Sequence, residues 1–191
     1  MIESMKAQEV ISRQRHGAVI VATYTTNREW PQVSDRPELD LLFAGGMGKA
    51  SSLGLGLAMA RPDLKVAVLD GDGSLLMNLG SLVTIANMAP PNLIHFVFEN
   101  GVYRTSGCQP LPGVAKISFA GFARDAGYAH VYEFEDIGSL EGEIEAIMTG
   151  EGPTFVCLQL ERSTDRCGFP YNRTNFDKIS RFKQALASAS A

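Results

Sequence analysis

Three short glycine-containing segments of the sequence could bind a ligand, because glycine frees the backbone and some of their side chains carry oxygen atoms. They are GGMG at residues 45–48, GDGS at residues 71–74 and ENGVY at residues 99–103. In the second segment, two glycines allow a sharp turn, and the amides of Gly73 and Ser74 can begin a helix. A helix start presents unpaired N–H groups and the positive end of a dipole, and both favour a phosphate group. The sequence therefore predicts a phosphate site at the GDGS turn.

The same segments contain the ligands of a divalent cation. A diphosphate carries several negative charges, and backbone amides alone would leave much of their repulsion uncompensated. A hard cation that bridges the diphosphate to protein prefers oxygen ligands. Asp72 can supply a carboxylate and Asn100 an amide carbonyl, and a backbone carbonyl after Asn100 can supply a third oxygen. We therefore expect Asp72 and Asn100 to meet at one Mg²⁺ ion.

The elements that must position these segments follow from the apolar pattern. Predicted strands cover residues 18–23, 41–44, 65–69, 93–98, 129–134 and 154–160, and predicted helices cover residues 5–15, 49–60, 74–88, 118–126, 139–148 and 175–187. A polar loop with Trp30 is expected between the first two strands, and another loop at residues 101–113. Unbroken apolar strands that alternate with helices indicate a three-layer α/β/α fold with a mostly parallel sheet of about six strands. Ligands bind such sheets beyond the carboxyl ends of the strands, where all three segments fall.

Composition favours one globular domain that covers residues 1–191. Of the 191 residues, 45% are hydrophobic and 20% are charged, and the net charge of −4 comes with no basic block, which argues against a nucleic-acid partner. No apolar stretch approaches the roughly 18 residues of a membrane span, and the amino terminus lacks a secretory pattern. Cys108, Cys157 and Cys167 show no CxxC spacing. We therefore expect free thiols and a cytoplasmic location.

The glycine-containing segments also resemble the GDG…NN signature of enzymes that use thiamine diphosphate. Within that family, the chain from about residue 5 to residue 161 is similar to sulfopyruvate decarboxylase beta subunits and to the carboxyl-terminal half of phosphonopyruvate decarboxylases. The likeness lies in FAGGMGKASSLGLGLAMA at residues 43–60, in the GDGS turn and in FENGVYRTSGCQP at residues 98–110. The resemblance implies a thiamine diphosphate-binding fold of the type that holds the cofactor's diphosphate through Mg²⁺.

The resemblance implies roles for individual residues. Asp72 and Asn100 match metal-binding side chains, and Val102 matches a residue whose backbone carbonyl binds the metal. Gly45 matches the acceptor of a hydrogen bond from the cofactor's 4′-amino group, and Met47 matches the bulky side chain that holds the cofactor bent, so both are expected catalytic positions. The cofactor-binding residues implied in this way are Gly45, Gly46, Met47, Gly71, Asp72, Gly73, Ser74, Asn100, Val102 and Tyr103.

The resemblance further implies a reaction and a partner. The expected reaction is the non-oxidative decarboxylation of a small anionic 2-oxo acid, such as sulfopyruvate or phosphonopyruvate. The Glu that activates the thiazolium ring lies on a separate pyrimidine-binding domain in this family, and the predicted sheet uses nearly all of the chain. A heteromer with a pyrimidine-binding alpha subunit, with self-association, is therefore expected. Glu99 departs from the family pattern, which has Asn at that position and does not use it as a metal ligand.

The role of some residues after the ENGVY segment has two interpretations. Arg104, Ser106 and Gln109 follow ENGVY directly and either face an anionic substrate or belong to a solvated loop. Arg104 or Lys49 could also meet the second anion of a substrate such as sulfopyruvate.

Two other functions remain open from the sequence. Gly46 and Gly48 precede a helix, and Asp70 ends the next strand, which imitates the fingerprint of a Rossmann-like NAD-binding protein. That pattern lacks its third glycine here, and it gives Asp72 and Asn100 no role. The other alternative is a non-catalytic cofactor-binding or regulatory subunit that retains the fold without turnover.

Overall fold

The strands and helices alternate along the chain as expected. The structure, a computed structural model, describes residues 1–43, 45–114, 116–162, 168–170 and 176–189. The strands are β1 (Val19–Thr23), β2 (Asp40–Phe43), β3 (Val66–Gly71), β4 (Leu93–Glu99), β5 (Val102–Tyr103), β6 (Gln109–Pro110), β7 (His130–Phe134) and β8 (Thr154–Gln159). The helices are α1 (Ser4–Arg13), α2 (Tyr24–Glu29), α3 (Ala50–Ala60), α4 (Asp72–Leu76), α5 (Gly80–Met88), α6 (Phe119–Ala126), α7 (Ile137–Thr149) and α8 (Phe176–Ser188).

Six of the strands form one parallel sheet in the order β2-β1-β3-β4-β8-β7. The strands β1, β3, β4 and β8 are buried along almost their whole length, because helices cover both faces. Successive side chains of β1 point to opposite faces: Ile20 packs with Ile11 of α1 and Leu140 of α7, and Val21 packs with Leu55 of α3. The predicted three-layer α/β/α fold is therefore confirmed.

The strand ends meet at one edge of the sheet. Ala22 of β1 is opposite Leu69 of β3, and Gly71 of β3 is opposite Phe98 of β4. The strand β2 lies on one side of β1 and β3 on the other. The direction in which the chain builds the sheet therefore reverses between β1 and β3, and a crevice opens beyond the carboxyl ends of strands at such a point.

Three details of the predicted elements were wrong. The single helix expected at residues 74–88 is two helices, α4 and α5, because the chain turns at Asn78, whose side-chain amide donates to the carbonyl of Gly48 at 2.8 Å. The polar loop expected after β1 begins with the helix α2, and Trp30 is fully buried. The loop expected at residues 101–113 contains an antiparallel hairpin of β5 and β6.

The remaining predictions concern residues outside the described ranges, the cysteines and membrane-spanning helices. Ala44, Cys167 and Asn175 lie outside the described residues. Cys108 and Cys157 are free thiols, as expected. None of the helices in the described part of the chain has the length and apolar character that a membrane crossing needs.

Candidate functional site

A cleft lies beyond the carboxyl ends of β1, β3 and β4, where the crevice of the sheet opens. Of the residues expected at the cofactor, those that line this cleft are Met47, Gly71, Asp72, Gly73, Ser74, Asn100, Val102 and Tyr103. Gly45 is exposed and Gly46 is half-buried in the neighbouring turn, and neither is part of the lining. The fold therefore brings the two predicted metal-binding side chains to one place.

The GDGS turn joins the end of β3 to the start of α4. Gly71 precedes α4 with an extended backbone, so Asp72, Gly73 and Ser74 form its first turn. A Cβ atom added at Gly73 would lie 2.7 Å from the ring of Tyr103, so only glycine allows the hairpin to pack this closely against α4. At Gly71 an added Cβ atom would meet no atom within 4 Å, so the backbone there faces open space.

The carboxylate of Asp72 links the ends of two strands. Asp72 is only 1% exposed. Its Oδ1 atom accepts a hydrogen bond from the Gly73 amide at 2.7 Å, and its Oδ2 atom accepts one from the Gly101 amide at 2.6 Å. The second bond joins the start of α4 to the loop after β4, which also carries Asn100. The two residues therefore lie on adjoining turns that are held together directly.

Burial makes the negative charge of Asp72 costly. Burial raises the pKa of Asp72 to about 7, although the amides of Gly101, Gly73 and Asn100 stabilise the ionised form, and nearby Glu99 raises the pKa further. A cation beside a carboxylate favours its charged form and lowers its pKa. A buried carboxylate whose ionised form is destabilised in this way suits a divalent cation, because such a cation binds carboxylate oxygens and stabilises their charge.

The loop after β4 arranges two further oxygens. The Asn100 Oδ1 atom accepts a hydrogen bond from the Val102 amide at 3.0 Å, and Gly101 between them has φ +73°, a conformation that favours glycine. In the hairpin, the Leu111 amide donates to the Gly101 carbonyl at 3.0 Å, so Val102 and the opposite Pro110 are a non-hydrogen-bonded pair whose carbonyls point away from the partner strand. The hairpin register therefore provides no donor to the Val102 carbonyl, which suits the metal-binding role implied for it.

The GGMG turn is attached to the start of α4. The Gly48 amide donates to Ser74 Oγ at 2.9 Å, and the Gly48 carbonyl accepts from the Asn78 side chain at 2.8 Å. Gly48 has φ +73°, and a Cβ atom there would lie 2.7 Å from that of Asn78, so glycine is required. These contacts place Met47 in the wall of the cleft, opposite the residues after β1.

Residues after β1 also line the cleft, and sequence reasoning missed them. They are Thr23, Tyr24, Thr25 and Thr26. Tyr24 has φ 51°, a left-handed conformation that is strained for a bulky side chain and is often found at functional sites. The Thr26 hydroxyl donates to the Leu69 carbonyl at 2.7 Å, which fixes the start of α2 to β3. The signal available in the sequence was the position of these residues at the end of an apolar strand.

The three candidate substrate-binding residues after the ENGVY segment do not all lie at the cleft. Arg104 lines the cleft, and its Nη1 atom donates to Glu29 Oε1 at 2.7 Å. Ser106 and Gln109 are exposed and do not line the cleft. Lys49 is exposed as well. Of these side chains, Arg104 is therefore the one placed to meet a ligand.

Glu99, the departure from the family pattern, contacts a neighbouring strand. Its carboxylate accepts a hydrogen bond from the Cys157 thiol of β8 at 3.0 Å. Burial raises the pKa of Glu99, and burial together with the charge of Glu99 raises the pKa of the Cys157 thiol far above its usual range. Glu99 is absent from the lining of the cleft that contains Met47, but it lines a neighbouring pocket together with Asp72 and Asn100.

The position of Asp70 argues against the dinucleotide interpretation. Asp70 is fully buried, its Oδ1 atom accepts from the Gly71 amide at 2.9 Å, and its Oδ2 atom lies 3.6 Å from Nε2 of the buried His95. The acidic residue of a dinucleotide-binding fingerprint must reach the ribose hydroxyls of its ligand. Asp70 points into the protein and does not line the cleft.

Known proteins match this chain in both sequence and structure. Phosphonopyruvate decarboxylase of Streptomyces viridochromogenes is 36% identical over 157 residues, which are 82% of this chain and 39% of that protein. Sulfopyruvate decarboxylase subunit beta of Methanothermobacter thermautotrophicus is 36% identical over 156 residues, which are 81% of this chain and 80% of that protein. The chain therefore spans about two fifths of the first relative and four fifths of the second.

A solved structure supports the fold. The thiamine diphosphate-dependent 4-hydroxybenzoylformate decarboxylase of Rhodococcus jostii RHA1 superposes with a TM-score of 0.70 at 17% identity, over 86% of this chain and 33% of that one. The model of the family described as "Thiamine pyrophosphate enzyme, C-terminal TPP binding domain" matches residues 19–158. The GDGS turn and the loop after β4 line one cleft, and the family model covers most of the chain. This chain therefore belongs to the C-terminal TPP-binding domain family of thiamine pyrophosphate enzymes.

Proposed function

We propose that this chain is the beta-type subunit of a thiamine diphosphate-dependent 2-oxo acid decarboxylase. In this proposal Asp72, Asn100 and the Val102 carbonyl hold a Mg²⁺ ion that binds the diphosphate of the cofactor. The observation that carries the proposal is the 2.6 Å hydrogen bond between Asp72 Oδ2 and the Gly101 amide, since it joins both metal-binding turns at one cleft.

Each part of the cleft has a task in this proposal. Gly73 and Ser74, in the first turn of α4, contact the diphosphate, with the Ser74 amide as the donor because the Gly73 amide donates to Asp72 Oδ1. Met47 packs against the cofactor and keeps it bent, and the Gly45 carbonyl accepts from its amino group. When bound, the thiazolium ring of the cofactor supplies the covalent chemistry that releases carbon dioxide from a 2-oxo acid. The chain provides orientation and a counter-charge for the phosphates.

The proposal includes a second chain. The cleft encloses about 40 Å³, room for only a few water molecules, so this chain forms one wall of a site for a cofactor that is many times larger. Relatives in three methanogens carry the name "subunit beta". A pyrimidine-binding alpha subunit would supply the other wall and the Glu that activates the cofactor, in a complex that also self-associates.

The substrate proposed is a small anionic 2-oxo acid. Relatives of this chain are named for sulfopyruvate and phosphonopyruvate, and both acids have a second anion beside the 2-oxo carboxylate. Arg104 lines the cleft, and this supports the proposal that it meets such a group.

The proposal is tested by measuring cofactor affinity and turnover together. Isothermal titration of thiamine diphosphate in the presence of Mg²⁺ is carried out on the complex with the partner subunit and is compared for the wild-type chain, for Asp72→Ala and for Asp125→Ala, a matched change at an exposed position of α6. We expect Asp72→Ala, and EDTA with the wild type, to weaken binding by at least about 100-fold, because the cation no longer links phosphate to protein. Unchanged affinity in Asp72→Ala would refute the metal bridge.

Turnover separates catalysis from a non-catalytic role. The chain is co-purified with the product of an adjacent gene that encodes a pyrimidine-binding domain, and decarboxylation is assayed with a panel of 2-oxo acids. We expect activity from the pair and none from either chain alone. Tight cofactor binding without turnover by the pair would favour the alternative of a regulatory subunit.

A further inference from the structure

Arg104 lies in the wall of the cleft beside the proposed metal loop. Among the described residues that line the cleft, it is the one with a positively charged side chain. Its guanidinium is 17% exposed, and Nη1 lies 2.7 Å from Oε1 of Glu29, which is 3% exposed. The cleft therefore combines a phosphate-binding end at α4 with a single fixed cation at another part of its wall.

Glu29 is itself held from two directions. Its Oε2 atom accepts a hydrogen bond from the Ser4 hydroxyl at 2.6 Å and another from the Gln8 side-chain amide at 2.7 Å. Ser4 and Gln8 belong to α1, Glu29 ends α2, and Arg104 follows β5. Three segments of the chain that are far apart in sequence therefore converge on one buried carboxylate, which fixes the guanidinium.

A buried ion pair of this kind is poorly explained by stability. Removing two charges from water costs about as much as their attraction returns, so a well-packed apolar pair would stabilise the fold at least as well. What the pair provides is orientation. A guanidinium carries five N–H donors in a planar fork, so a carboxylate can hold one part of it while another part faces an oxyanion.

We propose that Arg104, oriented by Glu29, binds the second anion of the substrate, a sulfonate or phosphonate on the carbon next to the ketone. This inference rests on the proposed decarboxylase function. The carboxylate of a 2-oxo acid leaves as carbon dioxide, but the second anion persists through the whole reaction and needs one stationary counter-charge. Thr25 and Thr105 line the same cleft, and in this proposal their hydroxyl groups complete a set of donors for a three-oxygen anion.

The kinetic test compares two acids that differ in the second anion. The co-purified complex is assayed with sulfopyruvate and with 2-oxobutanoate, which has a methyl group in place of the sulfonate. We expect Arg104→Gln to raise the KM for sulfopyruvate about 100-fold and to change that for 2-oxobutanoate little, because only sulfopyruvate loses a charge-assisted pair. Arg104→Lys retains the charge without the fork and should recover part of the loss. Arg124→Gln, at an exposed position of α6, is the matched control.

The positioning role of Glu29 has its own readout. We expect Glu29→Gln to raise the KM for sulfopyruvate about tenfold with kcat and the thiamine diphosphate affinity little changed, since the guanidinium stays but is less well oriented. Glu29→Asp should act less. A purely structural role would instead lower the melting temperature and depress kcat for both acids equally, and that result would overturn the proposal.

A binding measurement separates this inference from the proposed function. The complex is titrated with 3-sulfopropanoate, which has the carboxylate and the sulfonate but no ketone. We expect wild type to bind it and Arg104→Gln to lose that binding. Absence of turnover with every 2-oxo acid would overturn the decarboxylase proposal, whereas turnover of both acids with equal KM values in wild type and Arg104→Gln would overturn the role of Arg104 alone.

Discussion

The Asp72 carboxylate accepts a hydrogen bond from the Gly101 amide at 2.6 Å, and this bond ties the tip of β3 to the tip of β4. The carboxylate is thus part of the structure of the site before any ion arrives. In the proposed function the Asp72 carboxylate binds a cation and also holds a backbone turn, so its charge state is expected to affect both the affinity of the site and the stability of the chain.

The first prediction concerns pH and stability in EDTA. The folded-state pKa of Asp72 is raised to about 7, so its contribution to stability is present at low pH and is lost as the pH rises through 7. Between about pH 4 and pH 8 we expect the unfolding free energy of the wild type to fall relative to that of Asp72→Ala by up to about 4 kcal/mol. Urea unfolding at both pH values measures this difference, with Asp125→Ala as the control. Parallel pH profiles for wild type and Asp72→Ala would contradict it.

The second prediction concerns Gly73. A Cβ atom there would lie 2.7 Å from the Tyr103 ring, so Gly73→Ala must push the hairpin away from α4. We expect a loss of about 1–3 kcal/mol of unfolding free energy from the overpacking, and weaker binding of thiamine diphosphate. Adding Tyr103→Ala should restore part of the stability.

The control for Gly73→Ala is Gly142→Ala at an exposed position of α7. An added Cβ atom meets no atom within 4 Å there, and we expect a gain of up to about 1 kcal/mol because alanine favours a helix. Thermal and urea unfolding check both changes. Equal effects of the two substitutions would show that the close packing against Tyr103 is unimportant.

The third prediction concerns the clamp on the GGMG turn. Asn78→Ala removes the 2.8 Å hydrogen bond to the Gly48 carbonyl. We expect about 1 kcal/mol of lost stability but a much larger loss of kcat in the complex, on the order of 100-fold, because Met47 is displaced. Steady-state kinetics and melting temperatures are compared with those of Asn87→Ala, an exposed position on α5. A loss of stability without a loss of kcat would show that the hydrogen bond between Asn78 and Gly48 does not contribute to catalysis.

The fourth prediction tests the side chain of Met47 directly. Met47 lines the cleft, and the resemblance assigns it to the bent form of the cofactor. We expect Met47→Ala to lower kcat about 100-fold with the affinity for thiamine diphosphate nearly unchanged, and Met47→Leu to retain most of the activity. The measurements are single-turnover kinetics and cofactor titration. An equal decrease in kcat for Met47→Leu would argue for a specific role of sulfur instead of bulk.

The parallel sheet and the meeting of the GDGS and ENGVY segments at one cleft were predictable because their signals are local. Unbroken apolar runs such as the one in β4 identify buried strands, and Asp72 and Asn100 each follow a strand directly. The break between α4 and α5 was not predictable, because it depends on a contact between Asn78 and Gly48, 30 residues apart. Asn78 and Gly80 are weak helix formers within this segment, but they do not identify the distant partner that fixes the turn.

The residues after β1 and the partner of Arg104 were missed for a related reason. Thr23 and Tyr24 follow an ordinary apolar strand, and only the order of strands in the sheet places them at the crevice. Glu29 lies 75 residues before Arg104 and stood in a segment expected to be a loop. Long-range pairing of this kind depends on the complete fold.

The amino-terminal residues of the chain contact residues that line or support the cleft. Ile2 forms a parallel bridge with Leu160, which lines the cleft, and Ser4 and Gln8 grip the carboxylate that orients Arg104. On the role proposed for Arg104, a fusion tag or trimming within the first turns of α1 is expected to change the preference among 2-oxo acids. Preparations with an amino-terminal tag should therefore be compared with carboxyl-terminally tagged protein before substrate preferences are ranked.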